Sequence, residues 1–330
     1  MDDIDWLGPA EFIFQTPIRA KKARFEKGAA RRKKSTRGGA ALSKLIRVAR
    51  RKPEVMVKVT GSARGFKHLK EHLAYITRNG KLTAERENGE LIVGRDNVAS
   101  LAEDWWSDLG VERRPHARDT INLILSMPAG TDRAAVADAA RAFARTTFAG
   151  RHDYLLAVHD DTDHPHAHLT VETFGLQGQW LDPKKNDLQA WRETFAAALR
   201  KRGVEAEATP RRARGVVRKG TKQAIRHMDA RRGSRVTRWK LEQAVKTAGG
   251  AATDEPAPWV KASQERQVKV RRAWGTIATA LDGAGQVAMA LQVGQFLDGM
   301  PAPITEREQL LGQARRLIEQ QQTPQQGRKK

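Results

Sequence analysis

Four of the nine histidines fall within ten residues, in the string His159-Asp-Asp-Thr-Asp-His164-Pro-His166-Ala-His168-Leu-Thr-Val. His166 and His168 are two apart. On a strand, that spacing puts both on one face with Cα atoms ~6.6 Å apart. Two imidazoles so placed can converge on one ion. His159 ends the preceding apolar run, and a tight turn through 160–165 brings a third imidazole beside them. Three neutral imidazoles leave coordination positions open, the pattern of a catalytic rather than a structural metal site. Asp161 or Asp163 is placed to orient a ligating ring through its other nitrogen. The acidic flanks and the apolar strand that follows separate this cluster from a solvated histidine-rich loop. The chain has no Cys. That excludes disulfides, thiolate zinc sites, iron–sulfur clusters and a Cys nucleophile, and leaves His and carboxylate as the metal-binding groups.

A second chemical group is Tyr75, one of only two tyrosines. Phe66, Leu69, Leu73 and Ile76 recur at helical spacing and mark one buried stripe. Tyr75 lies roughly 140° from that stripe on a helical wheel, on the side of His68, Glu71 and Arg78. It is displayed rather than packed. A phenol needs a base or a nearby cation to act as a nucleophile, and Glu71, one turn back, is a candidate base. Tyr154 heads an apolar strand and reads as structural.

These groups need elements to position them. Val55, Val57 and Val59 alternate with Met56 and Lys58 in a strand ending at Thr60-Gly61. A helix follows over 64–78 and stops at Asn79-Gly80. Residues 81–95 suit a hairpin around Asn88-Gly89, and 96–109 a helix. Thr120–Ser126 reads as a strand, and Thr131-Asp132 caps an Ala-rich helix running to about Thr147. Strands at 154–159 and 166–174 then carry the histidines, and an amphipathic helix spans 186–202. The order predicts an α+β fold: a central, mostly antiparallel sheet with flanking helices. Beyond Pro210 the chain is basic and helix-prone. A linker is expected at 249–258, with helices over 259–299 and 304–321. The expected organisation is a basic, largely disordered segment over 1–52, a globular domain over 53–210, and a basic helical region over 211–330.

The 330-residue chain carries 60 Lys and Arg against 38 Asp and Glu, a formal charge of +22. The excess sits in two blocks. Residues 19–52 hold 15 basic side chains and one acid, and residues 200–240 hold 15 and three, so the rest is nearly neutral. Such blocks suit a polyanion, because each neutralised phosphate releases counterions. The 19–34 stretch has too few large apolar residues for an amphipathic membrane anchor. No apolar run approaches a membrane span, and the first residues are acidic where a secretory signal is basic. A soluble, cytoplasmic protein is expected.

Two hydrolase classes use similar histidine strings. His164 to Val171 nearly fits the His-φ-His-φ-His-φ-φ pattern of HIT-type nucleotide hydrolases, with Pro165, Ala167 and Thr170 as poor fillers. The two-histidine phosphoesterases need two His-x-Thr motifs, and only His168-Leu-Thr170 is present.

The string from His159 through Asp161 and His166 to His168 resembles the third motif of the plasmid mobilisation relaxases. This family belongs to the HUH endonucleases and includes the P-type conjugation relaxases and the T-DNA border endonuclease. His72-Leu-Ala-Tyr75-Ile-Thr-Arg-Asn-Gly80 is similar to its first motif, and Ile121-Asn-Leu-Ile-Leu-Ser126-Met-Pro-Ala-Gly130 to its second. The resemblance covers about residues 55–210 and implies an HUH relaxase-like fold. It implies that Tyr75 is the nucleophile, that His159, His166 and His168 bind the metal, that Ser126 contacts DNA, and that Asp161 is a supporting acid. It further implies Mg²⁺ or Mn²⁺ as cofactor and single-stranded DNA at an origin of transfer as partner. Relaxosome accessory proteins and a coupling protein are further expected partners, in a bacterial cytoplasm. The reaction implied is strand nicking through a 5′-phosphotyrosine, with religation. The competing expectations are a catalytically decayed DNA-binding accessory protein and the HIT-like hydrolase. One departure stands out: Glu172 lies where the family commonly has Asn. The long basic stretch ahead of the first motif is also unusual for these enzymes.

Overall fold

The computed structural model describes residues 7–14, 34–108, 117–216, 220–251, 255 and 258–322. In chain order its helices are α1 (Leu7–Phe14), α2 (Lys34–Ala49), α3 (Phe66–Ile76), α4 (Arg95–Asp108), α5 (Arg133–Phe148), α6 (Lys185–Arg200), α7 (Gln223–Arg231), α8 (Arg235–Ala248), α9 (Pro258–Gly283), α10 (Val287–Asp298) and α11 (Glu306–Gln322). Its strands are β1 (Met56–Ala63), β2 (Ala84–Arg86), β3 (Leu91–Ile92), β4 (Thr120–Ser126), β5 (Tyr154–His159) and β6 (His166–Glu172). These elements fall into two compact units, one of residues 51–208 and one of 1–50 with 209–330.

The 51–208 unit is built on a six-stranded sheet in the order β1-β4-β6-β5-β2-β3. Every pairing between its strands is antiparallel. The fold is α+β, as the element order implies. Strand alternation gives the sheet two different faces. On one face Val57, Leu123, Leu125, Ala167, Leu169, Val171 and Leu156 pack against Val136, Ala140 and Phe143 of α5 and Phe195 and Leu199 of α6. Asp132 caps α5, its carboxylate accepting from the Ala134 amide at 2.9 Å. The other face carries Leu155 and Ala157, which pack against Leu69, Leu73 and Ile76 of α3 and Leu101 and Trp105 of α4. The α3 stripe read from spacing is therefore the buried one. Where α3 and α4 leave that face open, it presents polar side chains.

In the second unit α1 and α2 pack with α9 and α10 around buried Trp274, whose indole N–H donates to the Ala213 carbonyl at 2.8 Å. Helices α1 and α2 thus lie within the segment expected to be largely disordered. Leu45, Ile46, Val48 and Ala49 give α2 a buried apolar stripe, which explains the order. Residues 15–33 lie outside the described part. The helix expected over 259–299 breaks at 284–286, where Gly285 adopts φ +73°. Among the described residues, no helix is long and apolar enough to cross a membrane.

Candidate active site

Strands β5 and β6 face each other through the 160–165 turn, and the register sets His159 directly opposite His166. Opposed residues on one face of an antiparallel pair have Cβ atoms ~5 Å apart. His168, two residues on, joins the same face. The three rings gather with centroids 4.4 Å apart for His159–His168 and 5.3 Å apart for both other pairs. One nitrogen from each lies within 4.8 Å of the other two, so the three can hold a metal ion. Among the described residues this is the only such group.

Backbone carbonyls fix the tautomers of two of these rings. A carbonyl can only accept, so His159 Nε2 carries a proton and donates it to Ile76 O at 2.6 Å. Its Nδ1 is left as a lone-pair nitrogen. His166 Nδ1 donates to His164 O at 3.0 Å, leaving Nε2 free. The orienting partners are therefore carbonyls rather than Asp161 or Asp163. Asp161 instead pairs with Arg78, Oδ2 to Nη2 at 2.7 Å. Slight burial opposes its charge, but the Arg78 guanidinium holds its carboxyl below the usual carboxylate range. Burial pulls His168 down to about 4, and the neighbouring His159 and His166 rings add to the effect. His159 is lowered too, by burial and against its bond to Ile76. Neutral rings with assigned lone pairs are the form that ligates metal, so the donor set fits a divalent cation.

Ile76 ends α3, where the last carbonyls have no partner within the helix. His159 satisfies one of them, so the metal group and the tyrosine helix are joined by a hydrogen bond. Tyr75 is 68% exposed and stands edge-on to His168, with ring centroids 6.2 Å apart and planes at 90°. Its other ring neighbour is His72, at 6.3 Å. Glu71, the expected base, reaches toward Lys67 at 4.0 Å instead. His72 Nε2 pairs with Thr170 Oγ1 at 3.0 Å, and burial draws this ring down to about 4 as well. Ser126 closes β4 directly across from His166 and is 4% exposed. The structure thus brings Tyr75, Ser126, His159, His166 and His168 to one end of the sheet face.

Glu172 is on β6 four residues beyond His168, ~13 Å along the strand, and is not part of the metal-capable group. It pairs in register with Thr120. Burial, then the acids Asp153 and Asp108, raise its carboxyl to about 8. Trp191 packs on Phe148 in the core, with ring centroids 5.3 Å apart. Sequence reading had no signal for the Ile76 carbonyl, because a backbone acceptor has no residue type. It also assigned no role to His72, Arg78 or Asn122. An Asn and a Thr in an otherwise apolar β4 were the available signal for the last.

Residues 75–204 match the family model for relaxases, MobA/VirD2-like, nuclease domain. Over that stretch the chain is similar to the MobA/VirD2-like relaxases. The T-DNA border endonuclease VirD2 of Rhizobium radiobacter is 29% identical over 209 residues, which is 57% of this chain and 48% of that protein. Those of Rhizobium rhizogenes and Agrobacterium fabrum are each 30% identical over 183 residues, 49% of this chain and 42% and 41% of theirs. The chain spans less than half the length of these curated relatives. A solved structure described as "Molecular Basis of Vancomycin Resistance Transfer in Staphylococcus aureus" matches 48% of this chain and 98% of its own, at 16% identity and a TM-score of 0.32.

Proposed function

We infer that this chain is a relaxase that nicks one strand of DNA at an origin of transfer, through attack by Tyr75, for plasmid mobilisation. The observation that carries the reading is the edge-on placement of exposed Tyr75 against His168 of the metal-capable triad. Tyr75 Oη forms a bond to phosphorus and loses its proton. The bond from phosphorus to the 3′ oxygen breaks, and that oxygen gains a proton. The products are a 5′-phosphotyrosine and a free 3′-OH. Bond energy is retained, so reverse attack reseals the strand without a nucleotide cofactor. His159, His166 and His168 would hold Mg²⁺ or Mn²⁺, whose positive charge would offset the negative charge developing on the phosphate oxygens. Imidazole ligands favour Mn²⁺ of the two. Ile76 O and His164 O keep two of the rings aimed. Arg78, paired with Asp161, ties the histidine turn to the end of α3. Ser126 contacts the strand beside His166.

In this reading residues 53–210 are the nuclease domain. The basic segments over 1–52 and 211–330 add affinity for DNA. Relaxosome accessory proteins and a coupling protein are the macromolecular partners, and the DNA substrate places the protein in the bacterial cytoplasm.

The test incubates the full chain with Mn²⁺ and labelled single-stranded oligonucleotides tiling the DNA that surrounds its gene. A covalent adduct on a denaturing gel, abolished by chelator and by Tyr75→Phe, is the expected result. Full nicking by Tyr75→Phe would overturn the assignment of the nucleophile. Tight binding with no adduct would favour a DNA-binding accessory role.

A further inference from the structure

The helix face that displays Tyr75 also walls a groove with no part in the chemistry above. It has a volume of about 380 Å³, and lies between Thr60–Ala63 of β1, Asn122 of β4, and His68, Glu71 and His72 of α3. His72 borders the groove and also neighbours Tyr75, with ring centroids 6.3 Å apart. The groove is therefore next to the nucleophile.

Its floor is built around one buried amide. Asn122 is only 6% exposed. The Ala63 amide donates to Thr120 Oγ1 at 3.4 Å, and that hydroxyl donates to Asn122 Oδ1 at 3.3 Å. Nδ2 is left as a donor with no hydrogen-bond partner among the described residues, and it faces Gly61 at the groove. A Cβ on Gly61 would stand 3.8 Å from Nδ2. The register of β1 against β4 shifts between Val59 and Gly61, a bulge that bends the strand at this point. Thr60 Oγ1 donates to Asn122 O at 3.2 Å, which secures the bulge. Nδ2 is thus a donor that a ligand lying in the groove can engage.

The lining selects the ligand's chemistry. A phosphate would meet the Glu71 carboxylate and be repelled. A nucleobase instead offers an acceptor to Asn122 Nδ2, a donor edge to Glu71, and a flat face for the imidazoles of His68 and His72. The geometry points to this groove as the seat of one nucleobase of the cut strand, beside the phosphate that Tyr75 attacks, with Asn122 and Glu71 reading its edge. The inference rests on the nicking reading and names the part of the chain that sets sequence preference at that base.

The experiment uses the full chain, Mn²⁺ and a single-stranded oligonucleotide pool randomised around the nick. Covalently captured strands are sequenced. The wild-type chain is expected to show a base preference at a position adjoining the cut. Asn122→Ala, and separately the surface change Glu71→Gln, are expected to lose about 5- to 30-fold in discrimination at that position alone. The readout is a ratio between bases within captured strands, so it does not depend on adduct yield. Glu71→Gln covers the case in which Asn122→Ala fails to fold. An adduct whose flanking positions are all indifferent, or a preference unchanged in both variants, overturns the inference and leaves the nicking reading standing. No adduct from any pool with the wild-type chain overturns the nicking reading itself.

Discussion

Helix α3 ends in an unusual way that can be tested by one added methyl group. Arg78, Asn79 and Gly80 follow Tyr75 with φ of 51°, 56° and 77°, three left-handed residues in a row. This turn stops α3 so that the Ile76 carbonyl meets His159 and Arg78 meets Asp161. Gly80 packs on the backbone that leads into α4. A Cβ at Gly80 would stand 2.3 Å from Gly94 C, 2.4 Å from Arg95 N and 2.6 Å from Gly94 O. All three are backbone atoms, which cannot rotate away. Gly94 is a matched control. It also has a left-handed φ, of +87°, but a Cβ there meets nothing within 4 Å. Gly94→Ala therefore costs only the left-handed strain, about 1–2 kcal/mol. Gly80→Ala carries the same strain and must also push the 94–95 backbone away. That breaks the Gly94 amide's bond to Gly80 O, now 3.0 Å, and loosens α4 against α3. The two effects together bring the cost to about 3–5 kcal/mol. At roughly 2–4 °C per kcal/mol for a unit of this size, the Gly80→Ala transition should fall on the order of 10 °C, and that of Gly94→Ala a few degrees. Calorimetry on the two variants measures the difference. Equal shifts, or a Gly80→Ala transition within two degrees of wild type, would refute the reasoning about crowding.

Other outcomes follow from the charges around the site. The Glu172 carboxyl is raised from 4.5 to about 8 by burial, so the fold is progressively penalised between those pH values as the unfolded chain ionises first. Glu172→Gln should stabilise the protein at pH 8 by up to about 5 kcal/mol and do nothing below pH 4.5; equal effects at both pH values in urea melts would contradict this. His72 is lowered from 6.5 to about 4, so its contribution is intact above pH 6.5 and lost as pH falls toward 4. His72→Asn should flatten that part of the acid limb, and an unaltered limb between pH 6.5 and 4 would count against it. Arg78→Ala removes a half-exposed ion pair and should change stability by under about 1 kcal/mol. It should nonetheless weaken Mn²⁺ binding, read by titration calorimetry, with recovery in the charge swap Arg78→Asp with Asp161→Arg. No recovery would remove Arg78 from the positioning of the histidine turn.

The parts of this molecule that are local in sequence were legible there. The 3-4-3 spacing of Phe66, Leu69, Leu73 and Ile76 determined which side of α3 is buried, and hence that Tyr75 is exposed. The alternation around His166 and His168 placed both on one strand face, and the apolar run Thr120–Ser126 matched β4 residue for residue. Each follows from a period of 3.6 or 2 that needs no partner. What tertiary structure decided was who stands beside whom. Strand order set β4 next to β6, so Ser126 came to face His166. The ring orientations came from carbonyls of Ile76 and His164, and Asp161 was drawn to Arg78, 83 residues away from it in sequence. A lone backbone acceptor, or a cation delivered by the end of a distant helix, leaves no trace in local periodicity. The same holds for α2: the core that buries its apolar stripe of Leu45, Ile46 and Val48 is supplied by α9 and α10, far along the chain.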